Sequence, residues 1–463
     1  MRTHLLLVFF IAISLVAGFL VSQYPPAMLI WASLAFGIFI VSFVKIEWGL
    51  YILIFSMLLS PEFTIGETVR SSLGRGITLR FEDFLLIVIG FSWFARNAVD
   101  KELGLFLKTP LNRPILFYIL ACLISTGLGV IEGKVEIKTG SLFVLKYIEY
   151  FIVYFMVVNH LKNASQMKRF VFCLLLTCFI TSMIGIFQIP SGERVSAPFE
   201  GESTEPNTFG GYLLFLSAVT GGLLLTSEDS RSKQLLIFLL LAIIPPFLFT
   251  QSRASYLGLI VACFVLGIST RHRIIITGFL VLALLLSPLF LPQEVKNRIL
   301  FTFTQPEEAG QVHLGEIHLD TSTSARVASF KQILKDWPKK PIFGYGITGY
   351  KFLDSQYLKA LIETGITGLI AFIYLLYSIL KLSISHLKKL KTPYFKGITI
   401  GFLAGFIGLL FHALGANTFV LVRIMEPFWF FAGIIVILPE LERREAAHAQ
   451  QIPLQVKKLA SVT

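Results

Sequence analysis

The sequence predicts an all-α polytopic integral membrane protein. Of its 463 residues, 55% are hydrophobic and only 15% are charged, whereas soluble domains carry about 25% charged residues. Several apolar runs, such as 5–22, are long enough to cross about 30 Å of hydrocarbon as a helix. We therefore expect about 12–14 transmembrane helices.

The apolar runs divide the chain into three predicted regions and a tail. Residues 1–291 hold transmembrane helices 1–11, and 292–355 form a large external loop with short amphipathic helices. Residues 356–440 hold the C-terminal transmembrane helices, and 441–463 form a cytoplasmic tail. Arg2 precedes the first run as in a signal peptide, but no Ala-x-Ala cleavage site follows, so we expect an uncleaved span. The predicted spans are 5–22, 27–44, 48–60, 82–95, 114–131, 141–159, 170–189, 207–226, 234–249, 254–269, 273–291, 356–384, 397–414 and 419–438.

Basic residues set the predicted orientation. With the N-terminus in the cytoplasm, the short connections on that side carry most of the lysines and arginines, as the positive-inside rule requires. These residues are Arg96, Lys101, Lys108, Arg113, Lys162, Lys168, Arg169, Arg271, Arg273, Lys388, Lys389, Lys391, Lys396, Arg443, Arg444, Lys457 and Lys458. Both termini are then cytoplasmic. The net charge of +12 consequently reflects cytoplasmic loops, and we expect no nucleic-acid partner.

Charged and polar residues cluster in four segments of the predicted outer face. These are TLRFEDFLL, GERVSAPFEGESTEPNTFGGYLL, TQSRASYLGL and the large loop with the helix start after it. An ionisable group at membrane depth costs several kcal/mol, so each one suggests a function. The candidate site residues in these segments are Arg80, Arg194, Asn207, Ser252, Arg253, Arg326, Asp354, Tyr357 and Glu363.

Three arginines predict an anion site on the outer face. The planar guanidinium binds phosphate oxygens bidentately and stays protonated. Arg194, Arg253 and Arg326 all fall on this face, where together they would hold a pyrophosphate against the bilayer surface. A single arginine at the end of a span is more often an interfacial anchor. Three on one face favour binding.

Asp354 has two interpretations that residue types leave open. It stands immediately before Ser355 at a predicted helix start, where an aspartate commonly caps the first N–H groups. The alternative is a general base that removes the proton of a sugar hydroxyl.

Four motifs, in order along 190–370, resemble the bacterial O-antigen ligase and O-antigen polymerase superfamily. TQSRASYLGL resembles its T-x-S-R-x-x-x-x-G signature. Before this motif stands R-x-x-x-x-F, from Arg194 to Phe199, followed by PNTFGGYL with Asn207. After it comes SARVASFKQILKDWPKKPIFGYG. These stretches are similar to the neighbouring segments of the family. DSQYLKALIETGITGL resembles the ligase motif H-[NSQ]-x9-G-x-x-G, with Asp354 in place of histidine, followed by Gly365 and Gly368.

The resemblance implies a fold and residue roles. Members of this superfamily transfer a glycan from undecaprenyl diphosphate at the periplasmic or external face. They have a GT-C-like helical membrane fold and need no metal or cofactor. Arg253 and Arg326 would then be the diphosphate-binding pair and Asp354 the base for the acceptor. Arg194 would be a further contact to carrier or glycan.

Aspartate at 354 is typical of repeat-unit polymerases within this resemblance. We therefore expect a polymerase in the bacterial inner membrane that joins lipid-linked glycans, with a chain-length regulator as a further partner. The nearest alternative is a ligase that transfers glycan to lipid A core. A transporter for lipid-linked oligosaccharide is more distant, because the charges lie on one side rather than along a path across the membrane.

Overall fold

The computed structural model describes most of the chain. The described residues are 26–65, 77–99, 108–200, 205–270, 273–290, 292–305, 311, 313–314, 317–318, 320–351 and 353–460. The first predicted span, 5–22, lies outside them.

Helices account for nearly all the regular structure of the described residues. The helices are α1 (Pro26–Val44), α2 (Ile46–Leu59), α3 (Phe81–Val99), α4 (Asn112–Ile131), α5 (Ile137–His160), α6 (Ala164–Gln188), α7 (Pro206–Thr226), α8 (Ser230–Phe249), α9 (Arg253–Ile268), α10 (Arg273–Phe290), α11 (Gln293–Thr304), α12 (Thr321–Asp336), α13 (Gln356–Lys389), α14 (Pro393–His412) and α15 (Val422–Ala460). Two short antiparallel strand pairs lie between helices. They are β1 (Glu62–Ile65) with β2 (Ile77–Arg80), and β3 (His313–Leu314) with β4 (Ile317–His318).

The predicted multi-pass membrane architecture is confirmed. In the described part of the chain, eight helices are long and apolar enough to cross a membrane: α4 to α8, α13, α14 and the first part of α15. Three further apolar segments are shorter: Ser33–Val44, Ile46–Leu59 and Arg253–Ile268. The predicted loop 292–355 contains α11 and α12. The predicted tail begins as a continuation of α15, which runs to Ala460.

Chain contacts divide the molecule into two units. The first comprises Met1–Leu53 and Glu82–Leu105. Within it, Arg96 of α3 donates hydrogen bonds to the carbonyl oxygens of Phe43 and Val44 at 3.2 and 2.6 Å. Because these carbonyls end α1 and have no helical partner of their own, the arginine caps α1 and holds it beside α3.

The second unit comprises Ile54–Phe81 and Phe106–Thr463, and α7 and α14 pack closely within it. A Cβ on Gly222 of α7 would collide with the backbone of Gly397 and Gly401 in α14. Gly258 of α9 is similarly close to Gly408 of α14, since a Cβ there would lie 2.7 Å from the Gly408 carbonyl oxygen. Small residues let membrane helices approach to backbone contact. Gly210, near the N-terminus of α7, likewise lies against Ser255 in the first turn of α9.

A break in α13 shapes the segment before it. Gly365 has φ 65° and ψ −167°, which interrupts the helix. The Glu363 carbonyl oxygen accepts the Gly346 N–H at 2.8 Å, and the Ile366 N–H donates to the Pro341 carbonyl at 2.8 Å. Two parallel bonds run from the Tyr345 N–H to Ile362 and from the Thr367 N–H to Ile342. The loop thus replaces the helical hydrogen bonds lost at the break and fixes the first turns of α13.

A buried arginine of the second unit connects the β1–β2 strand pair with the segment around Pro198. Arg423, at the start of α15, is fully buried and donates to the Pro198 carbonyl oxygen at 2.8 Å. Its guanidinium lies 3.3 Å from Glu62 and 4.0 Å from Glu200. Arg80, the register partner of Glu62 across the β1–β2 pair, approaches the same carboxylate at 2.9 Å. We call these four charged residues the Arg423 cluster.

Candidate functional site

The turn between α8 and α9 is built from the residues of the T-x-S-R motif. The Thr250 hydroxyl donates to the Phe247 carbonyl oxygen at 2.7 Å and closes the end of α8. Gln251 adopts the left-handed conformation, with φ 50°. Ser252 is the N-cap of α9 and accepts the Ser255 N–H at 3.3 Å. Arg253 is therefore the first residue of α9, held at a rigid corner between two helices.

Ser252 also connects this corner to α7. Its hydroxyl donates to Asn207 Oδ1 at 2.7 Å, and Ser252 itself is almost fully buried. Asn207 follows Pro206, which begins α7. The hydrogen bond fixes the start of α7 beside the start of α9, so Ser252 acts on the site by positioning Asn207.

Arg194 lies against the carbonyl end of α8. Its Nε donates to the Thr250 carbonyl oxygen at 3.0 Å, and one terminal nitrogen donates to Gln251 at 3.3 Å. Burial lowers the pKa of Arg194 to about 10, and repulsion from Arg298 and Arg253 adds to the shift. The guanidinium therefore remains a cation at neutral pH, although it is partly desolvated and close to other cations.

Arg253 forms an ion pair with Asp320 across the start of α12. The distance from its terminal nitrogen to Asp320 Oδ2 is 2.8 Å. The other carboxylate oxygen accepts the Thr323 N–H at 3.1 Å, so Asp320 is also the N-cap of α12. Burial raises the pKa of Asp320, but the hydrogen bonds from Arg253 and Thr323 outweigh it and hold this pKa below its usual value. An ionised Asp320 thus joins the first turns of α9 and α12.

Arg326 and Asp354 face each other on the cavity wall. Arg326, in the second turn of α12, places a terminal nitrogen 3.7 Å from Asp354 Oδ2 and 3.5 Å from the Gly415 carbonyl oxygen. Its Nε is buried, with no hydrogen-bond partner in the part of the chain that the structure describes. The N-cap position of α13 belongs to Ser355, and Asp354 stands one residue before it with a side chain that is 44% exposed. The carboxylate is therefore accessible from the cavity.

These segments enclose one cavity of about 480 Å³, within the range of small-molecule sites, about 300–1,000 Å³. Its lining residues are Arg194, Glu205, Pro206, Asn207, Gln251, Arg253, Ala254, Leu257, Arg298, Arg326, Asp354, Phe411, Leu414 and Gly415. Five residues that the sequence predicted from separate segments, namely Arg194, Asn207, Arg253, Arg326 and Asp354, thus lie together. Four arginines against two carboxylates give the wall an excess of positive charge, which suits an anion.

Two charged lining residues were missed by the sequence analysis. Arg298 belongs to α11 in the large loop, where one arginine among many polar residues gave no motif. Only the folding of α11 brings it to the cavity. Glu205 stands two residues before Asn207. Its closeness to the PNTFGGYL segment was the one signal that pointed to it.

Three predicted substrate-binding residues lie elsewhere. Arg80 belongs to the Arg423 cluster. The Tyr357 hydroxyl donates to the Leu410 carbonyl oxygen at 2.8 Å and so joins α13 to α14. Glu363 is buried and accepts the Thr348 N–H at 3.1 Å. None of the three lines the cavity.

The described residues contain no group of three or more histidine, cysteine, aspartate or glutamate side chains that would hold a metal ion. The absence of a metal or cofactor from the reaction stays a prediction. The donors that the cavity does offer are guanidinium N–H groups, which suit phosphate oxygens rather than a cation.

One comparison with known proteins bears on this site. Residues 235–373 match a family model described as O-antigen ligase, which confirms the resemblance predicted from the motifs. No curated protein matches the chain. The matched segment runs from α8 into α13 and includes Arg253, Arg298, Arg326 and Asp354. Arg194, Glu205 and Asn207 precede it, so the cavity is completed by residues outside the matched region.

Proposed function

We propose that the chain, whose residues 235–373 match the O-antigen ligase family model, is a polysaccharide repeat-unit polymerase. It transfers a glycan from undecaprenyl diphosphate to the terminal sugar of another lipid-linked glycan. The main observation behind the proposal is that four arginines and Asp354 line the same cavity. The arginines suit the diphosphate of the donor, and the carboxylate suits the hydroxyl of an acceptor.

In the proposed reaction, the acceptor hydroxyl oxygen attacks the anomeric carbon of the donor sugar while the bond from that carbon to the diphosphate oxygen breaks. Asp354 takes the hydroxyl proton, and the configuration at the anomeric carbon inverts. The leaving undecaprenyl diphosphate gains one negative charge. Arg253 and Arg326 stabilise that charge as it forms, which is commonly the largest contribution to catalysis.

The remaining cavity residues bind or position substrate in this scheme. Arg194 contacts the carrier or the glycan, and Asn207, held by Ser252, contacts the sugar. The broken bond to the diphosphate supplies the driving force, and we expect no metal or cofactor, as the resemblance implies. We place the cavity on the outer face of the bacterial inner membrane with both termini in the cytoplasm, and a chain-length regulator stays a predicted partner.

A ligase that transfers glycan to lipid A core is the second candidate, and the description of the matched family favours it. Asp354 in place of the ligase histidine favours the polymerase. The polymerase uses another lipid-linked glycan as acceptor and the ligase uses lipid A core, so identifying the acceptor distinguishes the two activities.

The test uses purified protein in lipid nanodiscs. Given undecaprenyl-diphosphate-linked repeat units alone, a polymerase produces a ladder of longer lipid-linked chains. A ligase leaves the units unchanged and transfers them only when lipid A core is added. Absence of any product from lipid-linked units of the native repeat structure, with either acceptor, contradicts both assignments.

Asp354→Asn tests the base. The amide cannot accept the proton, so we expect kcat to fall by about 10²–10⁴-fold, while binding of undecaprenyl diphosphate is unchanged. Glu294→Gln is the matched control, because Glu294 is an exposed carboxylate of α11 outside the cavity lining. Full activity of the Asp354→Asn enzyme would exclude the base assignment and leave Asp354 a structural residue.

A further inference from the structure

Arg298 of α11 lines the cavity together with the three other arginines. Burial lowers the pKa of its guanidinium, and repulsion from Arg253 and Arg326 lowers it further. The pKa of Arg194 is in turn lowered by Arg298. Arg298 thus lies within electrostatic reach of all three other arginines.

The four arginines differ in how their charge is balanced. Arg253 is paired with Asp320 at 2.8 Å, and Arg326 approaches Asp354 at 3.7 Å. Asp320 also attracts Arg298, but its oxygens are already bonded to Arg253 and Thr323. The Arg298 Nε is buried without a hydrogen-bond partner among the described residues. A buried donor without an acceptor costs about 1–3 kcal/mol, which a ligand oxygen would recover.

We propose that Arg298 is a further binding residue for the diphosphate of the donor, and that its unpaired Nε–H donates to a phosphate oxygen. The proposal rests on the function proposed above and extends its binding site into α11. The large loop is then part of the donor site rather than a cover over it.

The charges of the site fit a single diphosphate. Arg194, Arg253, Arg298 and Arg326 are opposed by the carboxylates of Glu205, Asp320 and Asp354, which leaves one net positive charge. A glycan-linked diphosphate carries two negative charges and brings the site close to neutral. A second diphosphate would leave a strong negative excess in a partly buried site, which is unfavourable. The diphosphate of a lipid-linked acceptor therefore lies outside this cavity.

The position of Arg298 gives its substitution two opposite effects. In the ligand-free protein, Arg298→Gln removes repulsion among four nearby cations, so the melting temperature stays the same or rises. With diphosphate present, the variant lacks one donor, so the stabilisation by ligand decreases. A residue needed only for packing would instead lower the melting temperature of the free protein and leave ligand affinity unchanged.

The experiment measures binding of inorganic pyrophosphate to the full chain in nanodiscs, by calorimetry and by thermal melting. We expect one pyrophosphate per chain and at least about tenfold weaker binding for Arg298→Gln, since a hydrogen bond to a charged group is involved. Lys296→Gln is the matched control, because it removes one positive charge from the same helix outside the cavity lining. The affinities of undecaprenyl diphosphate and undecaprenol are measured in the same way. Their difference gives the contribution of the diphosphate to binding of the carrier.

Unchanged affinity of Arg298→Gln, or an equal loss for Lys296→Gln, would overturn the proposal. Two pyrophosphates per chain would overturn the single-diphosphate assignment. If the glutamine variant does not fold, Arg298→Lys serves as the test. It keeps the charge but lacks the Nε–H, so we expect it to bind pyrophosphate more weakly than the unmodified protein. The two proposals can fail separately.

If Arg298→Gln weakens pyrophosphate binding but the unmodified protein forms no glycan product, only the polymerase assignment fails. If the unmodified protein polymerises normally and Arg298→Gln binds pyrophosphate with unchanged affinity, only the role of Arg298 fails.

Discussion

Asp320 connects two arginines that come from different parts of the chain. One of its oxygens pairs with Arg253, and the other caps α12, the helix that carries Arg326. The side chain is only 2% exposed. A single buried carboxylate therefore sets the spacing between the two residues assigned to the diphosphate.

Asp320→Asn separates the two roles of this residue. Asparagine is as good an N-cap as aspartate, but it leaves Arg253 without its counter-charge. Removing one partner of a buried ion pair costs about 3–5 kcal/mol. Arg253 is 24% exposed to the cavity, so we expect a smaller loss of unfolding free energy, about 1–3 kcal/mol.

Thermal or chemical denaturation in nanodiscs measures this loss. Pyrophosphate should restore more stability to the variant than to the unmodified protein, because the anion replaces the lost carboxylate. Asp320→Ala, which loses the cap as well, serves as the comparison and should be less stable still. An asparagine variant as stable as the parent would show that the ion pair contributes nothing.

At the scale of elements, the break in α13 determines where Asp354 lies. The first turns of the helix are bonded to the 341–346 segment on one side and to α14 through Tyr357 on the other. The position of the carboxylate therefore depends on Gly365, which lies eleven residues after Asp354 and outside the cavity lining.

Gly365→Ala tests this dependence. The left-handed backbone there disfavours a side chain, and an added Cβ would collide with the Ile342 carbonyl oxygen. We expect about 3 kcal/mol or more of lost stability, together with lower activity because Asp354 is displaced. Gly127→Ala in α4 is the matched control, since nothing lies within 4 Å of a Cβ at that position. Equal melting temperatures of the two variants would contradict the structural role.

Much of this arrangement was predictable from the sequence, and the reasons for the rest are physical. Hydropathy predicted the membrane helices because a span must be continuous and apolar. The motif around Arg253 was recognisable because its caps and turn are local. Arg298 was not, because its contact with the cavity depends on how α11 folds against distant helices. Arg80, Tyr357 and Glu363 lie in the right segments, but their side chains meet backbone or ion-pair partners that no local pattern specifies.

At the scale of the whole molecule, the Arg423 cluster joins connections that are far apart in sequence. Arg423 is fully buried and holds both the β1–β2 pair and the 198–200 segment. Burial raises the pKa of Glu200 to about 7. Arg423 and the hydrogen bond from the Glu205 N–H oppose this increase, while repulsion from the carboxylates of Glu62 and Glu205 adds to it. Near neutral pH the folded protein thus binds a proton at Glu200 that the unfolded chain releases.

The sign of the resulting pH dependence follows from the raised pKa. The contribution of protonated Glu200 to stability is complete below the unfolded value of about 4.5 and is lost as the pH rises through about 7. Glu200→Gln keeps the neutral form at every pH. We expect the melting temperature of the unmodified protein to fall relative to this variant between pH 5 and about 8. Parallel curves for the two proteins would show that Glu200 does not titrate in this range.

The basic cavity also bears on turnover. In the proposed reaction, transfer converts the donor diphosphate from a diester into a monoester with one more negative charge, while the four arginines around it stay as they were. While Asp354 keeps the proton that it has taken, it no longer opposes the arginines, so we expect the enzyme to hold spent undecaprenyl diphosphate firmly and to be inhibited by it until that proton leaves. Departure of the spent carrier, rather than formation of the glycosidic bond, would then limit the rate. A membrane phosphatase that consumes the carrier would thereby control how fast the polysaccharide grows.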